Sequence, residues 1–172
     1  KQVGKLLSEA EIAHFIVMDP QHLGNYRFSH ALVRETLYVS LESHHRARLH
    51  RQIGETLERE ALNNASPPIS ELAFHFFQAA TESEVEKAIA YSIQAAEYAT
   101  GTLGYEEAVE HYARVVQLLT LRPNEWQRCE TLLAIGEARR RAGAMDAARE
   151  SFHHASDLAR QLPAPELLAR AA

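Results

Sequence analysis

Residues 132–155 read LLAIGEARRRAGAMDAARESFHHA, and this stretch decides the fold. Leu132 and Gly136 share a helical face, Gly143 sits where one helix must stop and turn, and Ala148, Phe152 and Ala155 recur at helical spacing beyond it. Gly136 carries no side chain, so a second helix can approach its backbone closely, and Phe152 is sized to fill the groove between the two. One period earlier, Ala96, Ala108, Tyr112 and Val115 occupy the corresponding places, with Gly104 at the turn. Ala96 and Gly136 are 40 residues apart, as are Ala108 and Ala148.

This pattern of small contact residues with an aromatic in the second helix resembles the tetratricopeptide repeat, whose usual period is about 34 residues. The longer period implies longer helices. A looser third copy is expected at His75-Phe76, Ala88, Ser92 and Ala95, although the helix over 84–101 would then belong to two pairs. A generic helical bundle is the plainer alternative, since Ala/Leu-rich helices match degenerate repeats readily.

Working outward, the spacing predicts helices over 69–80, 84–101, 104–120, 125–142 and 145–161, and the start of another at Pro165. Linkers of two to five residues make sequential neighbours antiparallel. A hairpin of this kind cannot bury its apolar face alone, so pairs stack and leave a concave groove suited to peptides, helices or other domains. Candidate groove residues on first helices are Tyr91, Gln94, Tyr98, Arg128, Arg139 and Arg140, with an ordinary solvated face as the alternative for each.

Upstream, residues 6–16 place apolar side chains at helical spacing, residues 17–25 carry Asp-Pro and Gly-Asn turn signals, and Tyr26-Arg27-Phe28 reads as one short strand with both aromatics on one face. Ser29 or His30 then opens a helix with Leu32, Val33, Thr36, Leu37 and Leu41 as its stripe. A further helix over 42–62 is expected to turn Leu49, Ile53, Leu57 and Leu62 inward. Two asparagines and two prolines over 63–68 break it.

The string Tyr26-Arg27-Phe28-Ser29-His30-Ala31-Leu32-Val33-Arg34-Glu35, with Arg46-Ala47-Arg48-Leu49-His50 after it, resembles the end of the winged-helix region in STAND-type signalling ATPases, the MalT-like and LuxR-type regulators and their cyclase relatives. The resemblance implies an all-α chain in three parts. Residues 1–43 would be a winged-helix remnant, 44–68 a connecting helix and linker, and 69–172 an antiparallel tetratricopeptide-like solenoid. It further implies an upstream ATPase module that binds ATP and ADP, and an effector such as a LuxR-type DNA-binding domain. His30 corresponds to the histidine of the family's Met-His-Asp-Leu stretch, which contacts the β-phosphate of ADP. Ala31 departs from that pattern, where the relatives carry aspartate. The arm would recognise a protein or small-molecule inducer. The same arm in an adenylate or guanylate cyclase, or a free-standing scaffold, are the other readings.

Bulk composition agrees with a helical, packed chain. Of 172 residues, 46% are hydrophobic, with only seven glycines and six prolines. The net charge of −5, with both signs interspersed, argues against a dedicated nucleic-acid surface. The basic run His44–Arg51 is flanked by Glu42, Glu55, Glu58 and Glu60, so it reads as a solvated face. A single cysteine, Cys129, permits no intrachain disulfide and suggests a quiet thiol. Ten histidines invite a metal hypothesis, but adjacent ones diverge by about 100° on a helix and no His-Glu-x-x-His occurs. Phosphate-binding glycine loops and a Gly-x-Ser-x-Gly elbow are also missing. The expectation is therefore a non-catalytic cytoplasmic fragment without membrane span or resident cofactor, cut from a longer regulator.

Overall fold

The computed structural model describes residues 2–20, 24–62, 67–80, 84–162 and 165–171, which form two compact units, 1–46 and 47–172. The chain is mostly helical, with one small sheet among the described residues.

Unit 1 opens with α1 (Gln2–Ile12), followed by β1 (Ile16–Met18), β2 (Tyr26–Phe28) and α2 (Ala31–Ser40). The strands pair antiparallel with Ile16 opposite Phe28 and Met18 opposite Tyr26. One strand was expected and two are present. The segment read as the end of a helix is β1, because His14 takes a left-handed conformation (φ 58°) that ends α1 after Ile12. The Ser29 backbone N–H extends the ladder to the Phe15 carbonyl at 3.0 Å, and its hydroxyl donates to the same oxygen and to the His14 carbonyl. Among the described residues of this unit Ile16 is the buried apolar one, and neither α1 nor α2 buries a residue. The stripe read from the sequence, Leu32, Val33, Thr36 and Leu37, lines a shallow apolar cavity with Phe15 instead. At the end of α2 the Arg46 guanidinium donates to the Leu41 carbonyl at 2.7 Å and lies over the Tyr38 ring. A cation on orphan C-terminal carbonyls is favourable.

Unit 2 contains α3 (Ser43–Ala61) from Ala47 onward, then α4 (Ile69–Ala79), α5 (Val85–Gly101), α6 (Tyr105–Leu118), α7 (Glu125–Arg141), α8 (Met145–Ala159) and α9 (Pro165–Ala171). From α4 to α8 the helices match the spacing read from the sequence to within two residues at each end, and α9 starts at Pro165 as expected. Of the helix break expected over 63–68, residues 63–66 lie outside the described residues, and α3 ends at Ala61 while α4 begins at Ile69. Side-chain contacts fix the helix directions. Across α7 and α8, Arg139 meets Ser151, Gly136 meets Phe152 and Cys129 meets Ala155, so one number rises as the other falls and the pair is antiparallel. Across α4 and α6, Ser70 meets Glu107 and Phe77 meets Arg114, so alternate helices run parallel. Each helix from α4 onward packs on the next in sequence.

The inward face of α3 differs from the expectation. Leu49, Ile53 and Leu62 are exposed, Leu57 is half-buried, and His50 and Gly54 are buried. Gly54 supplies the reason. A Cβ there would sit 3.1 Å from the Phe76 ring of α4, so the helix presents its smallest residue to a large aromatic. The same device recurs at Gly136 and Phe152. α4 packs on α5, as the looser third copy expected, and Gly54 with Phe76 adds a small-against-aromatic contact between α3 and α4 that the sequence pattern did not show. Leu72, Ala108 and Ala148, four residues before Phe76, Tyr112 and Phe152, are all buried.

The turns repeat as well. The Gly104 N–H donates to the Ala99 carbonyl at 2.8 Å, and 40 residues on the Ala144 N–H donates to the Arg139 carbonyl at 2.9 Å. Gly143 adopts the left-handed conformation (φ 83°), as expected of the turn. In the other hairpin Leu103 holds that position (φ 64°) and Gly104 does not. Leucine pays for a left-handed backbone that glycine adopts freely, and Leu103 is 72% exposed with little packing to lose. Leu103→Gly should therefore stabilise the protein by about 0.5–1 kcal/mol in urea unfolding, while Gly143→Leu destabilises by about the same or more.

Candidate recognition groove

The first helices of successive hairpins, α5 and α7, flank a groove of about 670 Å³. Its floor is Ile89 and Leu119, both buried, with Ile93 and Pro123 beside them. Helical spacing places Glu86, Ala90 and Ile93 on the side of α5 facing the start of α7, where Asn124 and Gln127 lie. Asn124 caps α7 by accepting the Gln127 backbone N–H at 3.0 Å, which fixes the Asn124 amide at the mouth. An ion pair between Glu86 and Arg122 joins α5 to the α6–α7 connection, with both side chains well exposed. Screening makes such a pair worth little stability, so it can open for a ligand. Aliphatic floor, small Ala90 and amide rim suit an apolar side chain carried on a polar backbone.

The residues singled out from the sequence do not converge on this groove. Gln94 and Tyr98 are exposed on α5, Tyr98 at 61%. Tyr91 points the other way, into a polar contact with α3 and α4. Its hydroxyl donates to Glu58 Oε1 at 2.6 Å, and its ring stacks on Phe76 at 5.1 Å. Lys87 Nζ donates to Glu58 Oε2 at 2.6 Å and lies 4.6 Å from the Phe76 centroid. Burial and the Glu58 hydrogen bond push the Tyr91 phenol up to about 12. Burial opposes the Glu58 charge, but hydrogen bonds from Lys87 and Tyr91 outweigh it and hold the carboxyl below its ordinary range.

Arg139 is also structural. It is half-buried and donates to the Ala147 carbonyl at 3.1 Å and the Ser151 hydroxyl at 2.9 Å, clamping α7 to α8. Arg140 forms a two-pronged pair with Glu137, which Arg141 shares, and these hydrogen bonds bring the Glu137 carboxyl down to about 2. Arg140 lines a separate cavity of about 450 Å³ with Met145, Arg149, Phe152 and Arg170. Arg128 lines another, of about 480 Å³, with Leu132, His154 and Asp157. In unit 1, His30 is exposed at the N-cap position of α2 and its side chain makes no capping hydrogen bond.

Sequence reasoning missed Glu86, Ile89, Ala90, Ile93, Asn124 and Gln127. A usable signal existed: Ala90 is a small residue between two isoleucines, on a stripe one step from the Tyr91 stripe. Among the described residues no group of three His, Cys, Asp or Glu side chains is placed to hold a metal ion, and no helix is long and apolar enough to cross a membrane. Cys129 is buried with its thiol raised by desolvation, and donates to the Ala155 carbonyl.

No family model matches this chain, and no curated protein or solved structure matches it either.

Proposed function

We propose that this chain is the recognition and coupling arm of a STAND-type signalling ATPase, a cytoplasmic transcriptional regulator of the LuxR type. In this reading residues 1–43 are the end of a winged-helix region, and unit 2 is a tetratricopeptide-like solenoid that receives a protein or small-molecule inducer. The observation that carries the reading is the groove between the first helices of successive hairpins, floored by Ile89, Ile93 and Leu119 and rimmed by amides. Exposure of His30 at the start of α2 supports the coupling role, because a helix N-terminus favours an anion such as the ADP phosphate. ATP and ADP would belong to the upstream module.

Two measurements test this. The isolated chain should give no calorimetric signal with ADP, and micromolar binding would contradict the division of labour. In the full-length regulator, His30→Ala should lower retained ADP and raise basal signalling several-fold, whereas Ile93→Asp should abolish the response to inducer without releasing ADP. Unchanged nucleotide content in the His30 variant removes it from the mechanism, and an intact inducer response in the Ile93 variant removes the groove.

A further inference from the structure

His50 of α3 and His75 of α4 meet with their Nδ1 atoms 2.9 Å apart. The rings lie 5.0 Å centre to centre, and the edge of Phe74 closes on both. His50 is only 7% exposed. For a hydrogen bond between two like nitrogens, one ring must carry the Nδ1 proton and the other must leave Nδ1 bare. The arrangement therefore tolerates one added proton on the pair, but two imidazolium rings would face each other N–H to N–H in a poorly solvated seam.

We propose that the His50–His75 pair is an acid-sensitive clasp whose second protonation releases α3 from α4. The clasp sits one turn from the Gly54–Phe76 contact, so its opening also loosens that seam. Charged groups on the packed helices lie near it. Glu71 lies one turn before His75 on α4, and Arg48 and Arg51 flank His50 on α3. Arg51 pairs with Glu55 on its own helix and with Glu84 at the start of α5, at 3.2 Å. Burial lowers the His75 pKa, and Glu71 offsets this only in part. A histidine lowered on folding stabilises the fold fully above its unfolded value of about 6.5, and that stability is lost as pH falls through the folded value.

The test is amide exchange on the whole chain at pH 7.5 and 5.5, corrected for intrinsic rates. Acidification should speed exchange along α3 and the facing side of α4 by up to about tenfold, the ceiling set by one proton and an unfolded value of about 6.5. The α7–α8 hairpin should change much less. His111 is also buried with a lowered pKa, so His111→Gln serves as the control and should leave the α3 response intact. His75→Gln keeps a hydrogen-bonding group against His50 without a second charge, and should flatten the α3 response. An equal acid response in His75→Gln, or none in the native chain, overturns the clasp. Imidazole nitrogen NMR of the native chain gives a second readout independent of any variant. Separate titrations of the two rings support the proposal, and both titrating together near 6.5 refutes it.

Discussion

Phe76→Ala lowers the stability of unit 2 by about 3–5 kcal/mol, the range for deleting a fully buried aromatic. The ring is 2% exposed and three neighbours depend on it. Tyr91 stacks on one face at 5.1 Å, Lys87 sits 4.6 Å from its centroid, and Gly54 lies close to its edge. Removing it leaves a cavity among Leu72, Val85, Ile89 and Val115, and frees the rotamers that hold Lys87 and Tyr91 on Glu58. Phe76→Leu restores much of the volume but neither the stack nor the cation contact, so it should recover roughly half the loss. Urea denaturation followed by circular dichroism checks this. A loss below about 1 kcal/mol would mean that α3 is not held through this ring.

Gly136→Val costs about 3 kcal/mol, against the ordinary expectation that replacing a helical glycine gains stability. The Cβ at 136 would meet Phe152 ring carbons at 2.6, 2.8 and 2.9 Å, so the ring must leave its place between α7 and α8. Overpacking of this kind costs about 1–3 kcal/mol for a single added carbon, and the two valine methyls add to it. Gly136→Ala should already lose about 1 kcal/mol, whereas Gly54→Ala, whose nearest contact is 3.1 Å, should be close to neutral. Combining Gly136→Ala with Phe152→Leu should restore stability, since the clash is with that ring. Simple additivity in this cycle would place the strain elsewhere. Because each helix packs mainly on its neighbours, exchange measurements should localise the Gly136 effect to α7 and α8 and the Phe76 effect to α3 through α6.

The candidate site was less legible than the fold. Choosing Tyr91, Gln94 and Tyr98 placed the groove one step around α5 from Glu86, Ala90 and Ile93, because an exposed aromatic and a helix-seam aromatic look alike in a one-dimensional pattern. Tyr91 has a carboxylate partner 33 residues earlier in the chain, and Arg139 has a hydroxyl partner on the next helix. Neither partner leaves a mark at short spacing. The Gly136–Phe152 seam was readable for the opposite reason: both residues are extreme in size, and their hairpin is closed by a tight turn at Gly143.

By itself the sequence determined where the helices from α4 onward begin, the 40-residue spacing, and the small-against-aromatic contact of Gly136 with Phe152. These depend on backbone hydrogen bonds within a few residues and on punctuation by glycine, proline and asparagine. Tertiary structure alone decided the second strand, the inward face of α3 and the location of the groove. Each of those turns on which surface meets which. That is settled by burial and pairing between residues from about ten apart, as in the strand pair, to more than thirty, as across the helices, where a rotation of one helix by a single residue exchanges a core position for a solvated one.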